Sequence, residues 1–204
     1  MPLSLKLEIC IFIQMEQIKE YLESIAHIST RDWEFFTSKL TRKIIPKKEI
    51  FLKLNEIENR ISFIEFGVVR LFIPKEDDEK DITFGFSFEN QFVSAYDSFL
   101  TRQPSLYQLQ TLTKTSLLYI TYEDLQEVYQ KTQIGNLIGR LTAERLFLLK
   151  SSREQNLLNL SAEQRYLKLF KERPQLIKLM PLKYISSYIG VTAQALSRIR
   201  KRIS

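Results

Sequence analysis

The feature that most constrains the fold is a change in the spacing of apolar residues along the chain. In residues 16–40 apolar side chains recur every three or four positions, as they do in helices. From Ile44 to Ile120 they tend to alternate with other residues, most clearly in RISFIEFGVVRLFI and DITFGFSF, which is the period of β-strands. Helical spacing returns after Thr121. The pattern predicts an α+β protein with one β-rich block between helical segments.

Turn and cap residues divide these segments further. Gly67 allows a bend inside a long strand pattern, and PKEDDEKD is a charged hairpin loop between two apolar strands. Ser29, Thr121 and Ser161 are placed to cap the starts of helices. In the helix that begins at Ser161, we expect the apolar side chains to pack inward; they are Tyr166, Leu167 and Phe170.

A long helix is predicted from about Gln133 to Asn156. Its apolar positions follow alternating steps of four and three residues, roughly as in a coiled-coil seam. Gly135 and Gly139 form G-x-x-x-G, which permits close packing of a neighbouring helix. The seam is open to two interpretations, a face toward the chain's own core or a dimer interface. The candidate interface residues are Ile134, Gly135, Ile138, Leu141, Arg145 and Leu148.

Charge is distributed unevenly along the 204 residues. The whole chain carries a net charge of +6. The last 44 residues hold ten Lys or Arg and two Asp or Glu, whereas residues 1–160 hold 20 basic and 22 acidic groups. A basic C-terminal region on a slightly acidic body indicates a polyanionic partner for that region, with a solvated basic face as the alternative.

The sequence argues against several classes of site. Cys10 is the only cysteine and His27 the only histidine, so no internal disulfide, cysteine-ligated metal or multi-histidine site can form. We therefore expect no metal, haem or iron–sulfur cofactor and no enzymatic activity of the cupin type. The N-terminus lacks a signal peptide and a bilayer-spanning run, and Met15 is a candidate start. We expect a cytoplasmic protein with no membrane partner.

The segment LKYISSYIGVTAQALSRIRK has the residue pattern of a helix-turn-helix. Ser186 is small where two helices approach, and Gly190 supplies the turn. Leu196 and Ile199 would anchor the second helix, which leaves its small, polar and basic side chains facing outward for a DNA groove. The candidate DNA-contacting residues are Lys183, Tyr184, Thr192, Ala193, Gln194, Ser197, Arg198, Arg200, Lys201 and Arg202.

The order of β-block, long helix and C-terminal helix-turn-helix resembles the Crp/Fnr family of transcription regulators. SFIEFGVVRLFI, the segment from FGFSFENQ to LLYI, and ISSYIGVTAQALSRIRK carry the resemblance, and FENQFVSAYDSFLTRQPS is most similar to Bacteroidetes members. It implies a jelly-roll-like β-roll with the cyclic-nucleotide-binding-domain fold at 1–132, a dimerisation helix at 133–158 and a DNA-binding domain at 159–204. It also implies a homodimer on a two-fold site in double-stranded DNA, a small effector and RNA polymerase as further partners.

The sequence departs from the family at two places. Where members that bind cyclic AMP have Gly-Glu and Arg-Ser, this chain has Ser94-Ala95 and Ser105-Leu106, so we do not expect cyclic AMP to bind. A pocket for another effector would be lined by Phe92, Ser94, Tyr96, Ser98, Arg102, Ser105 and Tyr107, or the region is a packed core. We also expect the recognition helix to lack the full wing that usually follows it in the family, since three residues come after Lys201. The alternative function is a ligand-binding or protein-interaction module with a degenerate helix-turn-helix.

Overall fold

The computed structural model describes residues 15–77 and 80–203. Two helices come first, α1 (Glu16–Glu23) and α2 (Thr30–Ser38). The β-block contains β1 (Thr41–Ile45), β2 (Ile50–Leu52), β3 (Arg60–Phe66), β4 (Val68–Ile73), β5 (Ile82–Phe88), β6 (Phe92–Val93), α3 (Tyr96–Thr101), β7 (Gln108–Thr111) and β8 (Thr115–Thr121). The helices that follow are α4 (Tyr122–Lys131), α5 (Gly135–Asn159), α6 (Ala162–Glu172), α7 (Pro174–Leu179), α8 (Leu182–Ile189) and α9 (Ala193–Ile203).

The strands form a roll of two antiparallel four-stranded sheets. One sheet has the order β1-β8-β3-β6 and the other β2-β7-β4-β5. Gly67 lies between β3 and β4, which belong to different sheets, and its φ of +107° makes the corner that takes the chain from one sheet to the other. The bend predicted at this glycine is therefore confirmed. Apolar side chains from both sheets fill the roll, among them Ile64, Val69, Leu109 and Leu117.

The helix starts agree with the predicted caps. The Ser29 hydroxyl accepts from the amide of Asp32, and the Thr121 hydroxyl accepts from the amide of Asp124. Ser161 and Gln164 form a reciprocal capping box at the start of α6. The short helix α3 was not predicted, since six residues inside a strand-rich block give too little periodicity.

One predicted helix face was wrong. In α6 Tyr166 is buried as expected, but Leu167 and Phe170 are exposed and Leu169 is buried in their place. Tyr166 and Leu169 are three positions apart and lie on one face, which packs on α7 and α8, whereas Leu167 and Phe170 lie on the neighbouring face.

The helices pack against the roll at two places. Ile18 and Leu22 of α1 and Trp33 of α2 cover the β1-β8-β3-β6 sheet around Phe63 and Leu118. The C-terminal helices share one apolar cluster with Val68 and Leu112 at the other end of the roll. Cys10 and the candidate start region before Met15 lie outside the described residues. Within the described ranges, no helix combines the length and apolar character needed to cross a bilayer.

Candidate DNA-binding surface and effector site

The two C-terminal helices have helix-turn-helix geometry. Gly190 ends α8 with a φ of +77°, and the amide of Val191 donates to the carbonyl of Ser186 at 2.9 Å. The Thr192 hydroxyl accepts from the amide of Ala195 at 3.1 Å and caps α9. Leu196 and Ile199 are buried against the α6–α8 core, as the sequence predicted. These contacts hold α9 at a fixed angle to α8.

The outer face of α9 is open. Thr192, Ala193, Gln194 and Arg198 are exposed, Ser197 is half-buried, and Arg200 and Lys201 continue the exposed basic end. Arg202 is ion-paired with Glu163 at the start of α6. The structure therefore brings nearly all of the predicted contact residues of α9 to one accessible surface.

The first helix of the motif lies against the roll. The Tyr184 ring stacks on the guanidinium of Arg70 at 4.0 Å, and that guanidinium also contacts Phe72 and pairs with Asp81 at 3.3 Å. Lys183 is exposed beside it. Ser187 donates to the carbonyl of Asp81 and accepts from the amide of Thr83, both at 2.8 Å, and so caps the free edge of β5. No sequence signal pointed to the contact between Arg70 and Tyr184, because the two residues are more than 100 positions apart.

The residues of the predicted seam are divided between two faces of α5. Ile134 and Ile138 pack into the apolar cluster formed with α1 and α2, and Gly135 is buried against α4. The Arg145 guanidinium lies 5.3 Å from the ring of Tyr21. Of the six candidates, four thus contact the chain's own residues, while Leu141 is half-buried and Leu148 is exposed.

Two of these candidates, Leu141 and Leu148, lie on a face of α5 that is largely exposed. Leu137, Leu141 and Leu148 share one helix face, at spacings of four and seven residues. Phe147 and Leu158 lie next to this face and are exposed by 70% and 79%. Exposed apolar residues in this number are unusual for a monomeric surface.

Five of the seven predicted effector residues make hydrogen bonds within the chain. The Ser94 hydroxyl donates to the carbonyl of Arg60 at 2.8 Å. The Ser98 hydroxyl bridges the amide of Glu58 and the carbonyl of Gln103. Arg102 donates to the carbonyl of Glu58 and to the Asn59 side chain, and it stacks on Tyr122 at 4.4 Å. Neither Ser98 nor Arg102 belongs to the cavity lining that contains Phe92, Ser94 and Tyr96.

Ser105 and Tyr107 are also held internally. The Ser105 hydroxyl donates to the Tyr107 carbonyl at 2.8 Å, and the Tyr107 hydroxyl donates to Asp97 at 2.5 Å. Burial, and then the hydrogen bond to Asp97, raises the pKa of Tyr107. Burial also raises the pKa of Glu58, which is 3% exposed and accepts from the amide of Arg60. Neither Glu58 nor Asp97 was singled out in the sequence, since a lone carboxylate gives no pattern.

Phe92, Ser94 and Tyr96 instead line a large open cavity of about 980 Å³ beside the roll. Its walls include residues of α1, α2 and α4, of β5 and β6, of one face of α5, and also Arg173, together with Tyr188 of α8. The cavity therefore contacts the roll, the long helix and the helix-turn-helix at once. We refer to it below as the interdomain cavity.

No protein-family model matches the sequence, and no similar curated protein was found. Solved structures share the fold. The chain is 18% identical to the c-di-GMP-responsive global regulator CLP of Xanthomonas campestris, with a TM-score of 0.66 over 86% of this chain and 91% of that one. It is 17% identical to FixK2 of Bradyrhizobium japonicum, with a TM-score of 0.64 over 80% and 84%. It is 13% identical to a Crp/Fnr-family regulator from Eubacterium rectale, with a TM-score of 0.67 over 86% of this chain and 83% of that one. The architecture is thus that of Crp/Fnr regulators, a cyclic-nucleotide-binding-type roll followed by a helix-turn-helix.

Proposed function

We propose that the protein is a transcription regulator that binds double-stranded DNA through α9 and has no enzymatic activity. The observation that carries the proposal is the exposed basic face of α9 on a helix-turn-helix with a buried anchor and a glycine turn. The segment from Pro181 onward contains no acidic residue. The shared fold with Crp/Fnr regulators supports the same function. DNA as a partner is consistent with a cytoplasmic location.

Roles for individual residues follow from side-chain chemistry. Gln194 and Arg198 are exposed on the outer face of α9 and are the candidates for base contacts, adenine for Gln194 and guanine for Arg198. Arg200 and Lys201 are the candidates for phosphate contacts. Lys183 is exposed and Tyr184 is half-buried with its ring stacked on Arg70, and both are candidates for contacts to the DNA backbone.

A dimer would bind a two-fold DNA site, and α5 is the proposed interface. The exposed apolar face of Leu137, Leu141 and Leu148 would be covered by the same face of a second copy, as in a two-helix coiled coil. This face keeps Leu141 and Leu148 of the predicted interface and adds Leu137, while Ile134 and Ile138 pack within the chain.

A small effector is the proposed signal, and cyclic AMP is not expected. CLP, whose fold this chain shares, responds to c-di-GMP. Here Ala95 and Ser105 are fully buried at the positions where the acidic residue and the arginine of cyclic-AMP-binding members would lie. A ribose or cyclic phosphate would find no charged ligand at either position.

The test is binding to labelled duplex DNA, measured by fluorescence anisotropy over a range of salt concentrations. We expect affinity for random duplex to fall steeply with salt, and a selected site to bind far more tightly. Arg198→Ala should weaken the selected site by about 1–3 kcal/mol and relax preference at one base pair in each half-site.

Lys43→Ala is the matched control, since it removes one exposed positive charge from the roll and should leave binding unchanged. Absence of binding at low salt, to both random duplex and a selected library, would overturn the proposal. That result would favour a ligand-binding or protein-interaction module.

A further inference from the structure

Three arginines that line the interdomain cavity form no ion pair with an acidic residue in the part of the chain that the structure describes. The guanidinium of Arg145 lies on Tyr21, that of Arg153 lies 4.8 Å from the ring of Tyr188, and that of Arg173 lies 4.9 Å from the ring of Phe88. Among the described residues, none of the three forms an ion pair, whereas Arg140 on the outer side of α5 pairs with Glu144 at 2.6 Å. Unpaired guanidinium groups beside an apolar cavity are suited to bind an anion.

The cavity face of α5 contains two polar atoms without hydrogen-bond partners. They are Thr142 Oγ1 and Arg153 Nε, both shielded from solvent. The two residues are eleven positions apart and lie on the same side of the helix, about 16 Å from each other along its axis. Leu146 and Leu149 lie between them and line the same wall. A buried polar atom without a partner is costly, so both atoms would gain from a side-chain movement that brings them into contact with a hydrogen-bonding occupant.

The opposite wall of the cavity is aromatic. Phe84, Phe86 and Phe92 line it, and Tyr188 closes the end next to α8. The acidic residues of the lining are Asp32, Glu89 and Glu154. Asp32 accepts from the amides of Gln133 and Ile134, and Glu89 accepts from Gln17, while Glu154 is exposed. The aromatic wall and the unpaired arginines together favour a ligand with a flat or aliphatic apolar body and a negative group.

We propose that the interdomain cavity binds an amphipathic organic anion, whose carboxylate, sulfonate or phosphate group contacts Arg153, with Arg145 as the second cation. Arg153 also donates to the carbonyl of Tyr188 at 3.2 Å, so it links the long helix to the helix-turn-helix. An anion that binds this guanidinium would weaken or redirect its hydrogen bond to Tyr188 and so change the position of α8. This regulatory consequence rests on the proposed function, whereas binding of the anion does not.

The experiment compares two fluorescent probes on the purified full-length protein. Anilinonaphthalene sulfonate carries a negative group, and phenylnaphthylamine has the same aromatic rings without it. We expect the sulfonate to bind at one site per chain and about tenfold more tightly than the neutral probe. Arg153→Gln should reduce that preference about tenfold, and Arg145→Gln should reduce it in the same direction.

Arg140→Gln is the matched control and should keep the full preference, because Arg140 does not line the cavity. If Arg153→Gln disturbs folding, Arg145→Gln decides the result, since its guanidinium is exposed. Equal affinity for the two probes, or a preference unchanged in both variants, overturns the proposal.

A second copy of the chain could also cover the cavity. Sedimentation with and without the sulfonate probe separates the two occupants. Binding that leaves the association state unchanged supports the proposal, and binding that occurs only when the chain dissociates overturns it. Loss of DNA binding would not affect this readout, so failure of the proposed function and failure of the anion site are distinguishable.

Discussion

The guanidinium of Arg70 is held between the rings of Phe72 and Tyr184, 4.0 Å from the centroid of each. Phe72 belongs to the roll and Tyr184 to the first helix of the helix-turn-helix, so one buried cation joins the two domains. Asp81 neutralises Arg70 and its carbonyl accepts from Ser187. The helix-turn-helix is therefore fastened to the edge strand β5 by a charged stack and a hydrogen-bonded serine.

Ser187→Ala should loosen this attachment. The amide of Thr83 would lose its acceptor, and a buried donor without a partner costs about 1–3 kcal/mol. We expect faster hydrogen exchange at the Thr83 amide and a lower free energy of unfolding. Ser24→Ala is the control, since Ser24 is exposed and bonds only within its own turn. An unchanged exchange rate at Thr83 would mean that the serine does not hold the edge of β5.

The features predicted correctly from sequence are those set by neighbours in the chain. The turn at Gly190, the cap at Thr192 and the anchors Leu196 and Ile199 all lie within ten residues of one another. Their side chains act on the adjacent backbone, so the spacing alone specifies the motif. The corner at Gly67 was predictable for the same reason.

Features that depend on distant contacts could not be read from the sequence. Apolar residues at alternating steps of four and three on α5 give the same sequence pattern whether their face packs on α1 and α2 or on a second copy of the chain. Only the structure shows that Ile134 and Ile138 pack on α1 and α2. Arg102 was predicted to line a pocket from its position in the sequence, and in the structure its guanidinium donates to the carbonyl of Glu58 and to the side chain of Asn59.

Gly67→Ala should be among the most destabilising single changes in the roll. A Cβ at this position would lie 2.8 Å from the Cα of Thr115 and 2.9 Å from the carbonyl oxygen of Lys114, and φ is +107°. Because both obstacles are backbone atoms, we expect a loss of about 3 kcal/mol in urea unfolding. Gly139→Ala is the control. Its Cβ would meet the ring of Tyr129, a side chain that can move, and alanine favours the helix. Equal losses of unfolding free energy in Gly67→Ala and Gly139→Ala would contradict the claim that the corner at Gly67 requires glycine.

Leu148→Glu should shift the protein toward monomer if the exposed face of α5 is the dimer interface. Leu148 is 66% exposed in the single chain, so the change should cost little folding stability there. In a dimer it would place two carboxylates in an apolar seam, which is strongly unfavourable. Sedimentation at several concentrations measures the shift. Leu106→Glu, at an exposed leucine of the roll, is the control and should leave association unchanged.

Glu58→Gln should change how stability depends on pH. Burial raises the pKa of Glu58 above its ordinary value of 4.5 in the folded chain. As pH rises past that value, the unfolded chain releases this proton first, and stability falls until pH passes the folded pKa. Glutamine keeps a carbonyl to accept from the amide of Arg60 but does not titrate.

The stability of Glu58→Gln relative to the parent protein should therefore increase with pH from about 4.5 and then level off. Urea unfolding at a series of pH values measures it. Glu123→Gln gives a control of opposite sign, because hydrogen bonds from its own amide and from Asn59 lower the pKa of Glu123. Glu123 therefore makes the parent protein more stable as pH rises, so the stability of Glu123→Gln relative to the parent should decrease with pH. A flat difference for Glu58→Gln would show that its carboxylate is not penalised by burial.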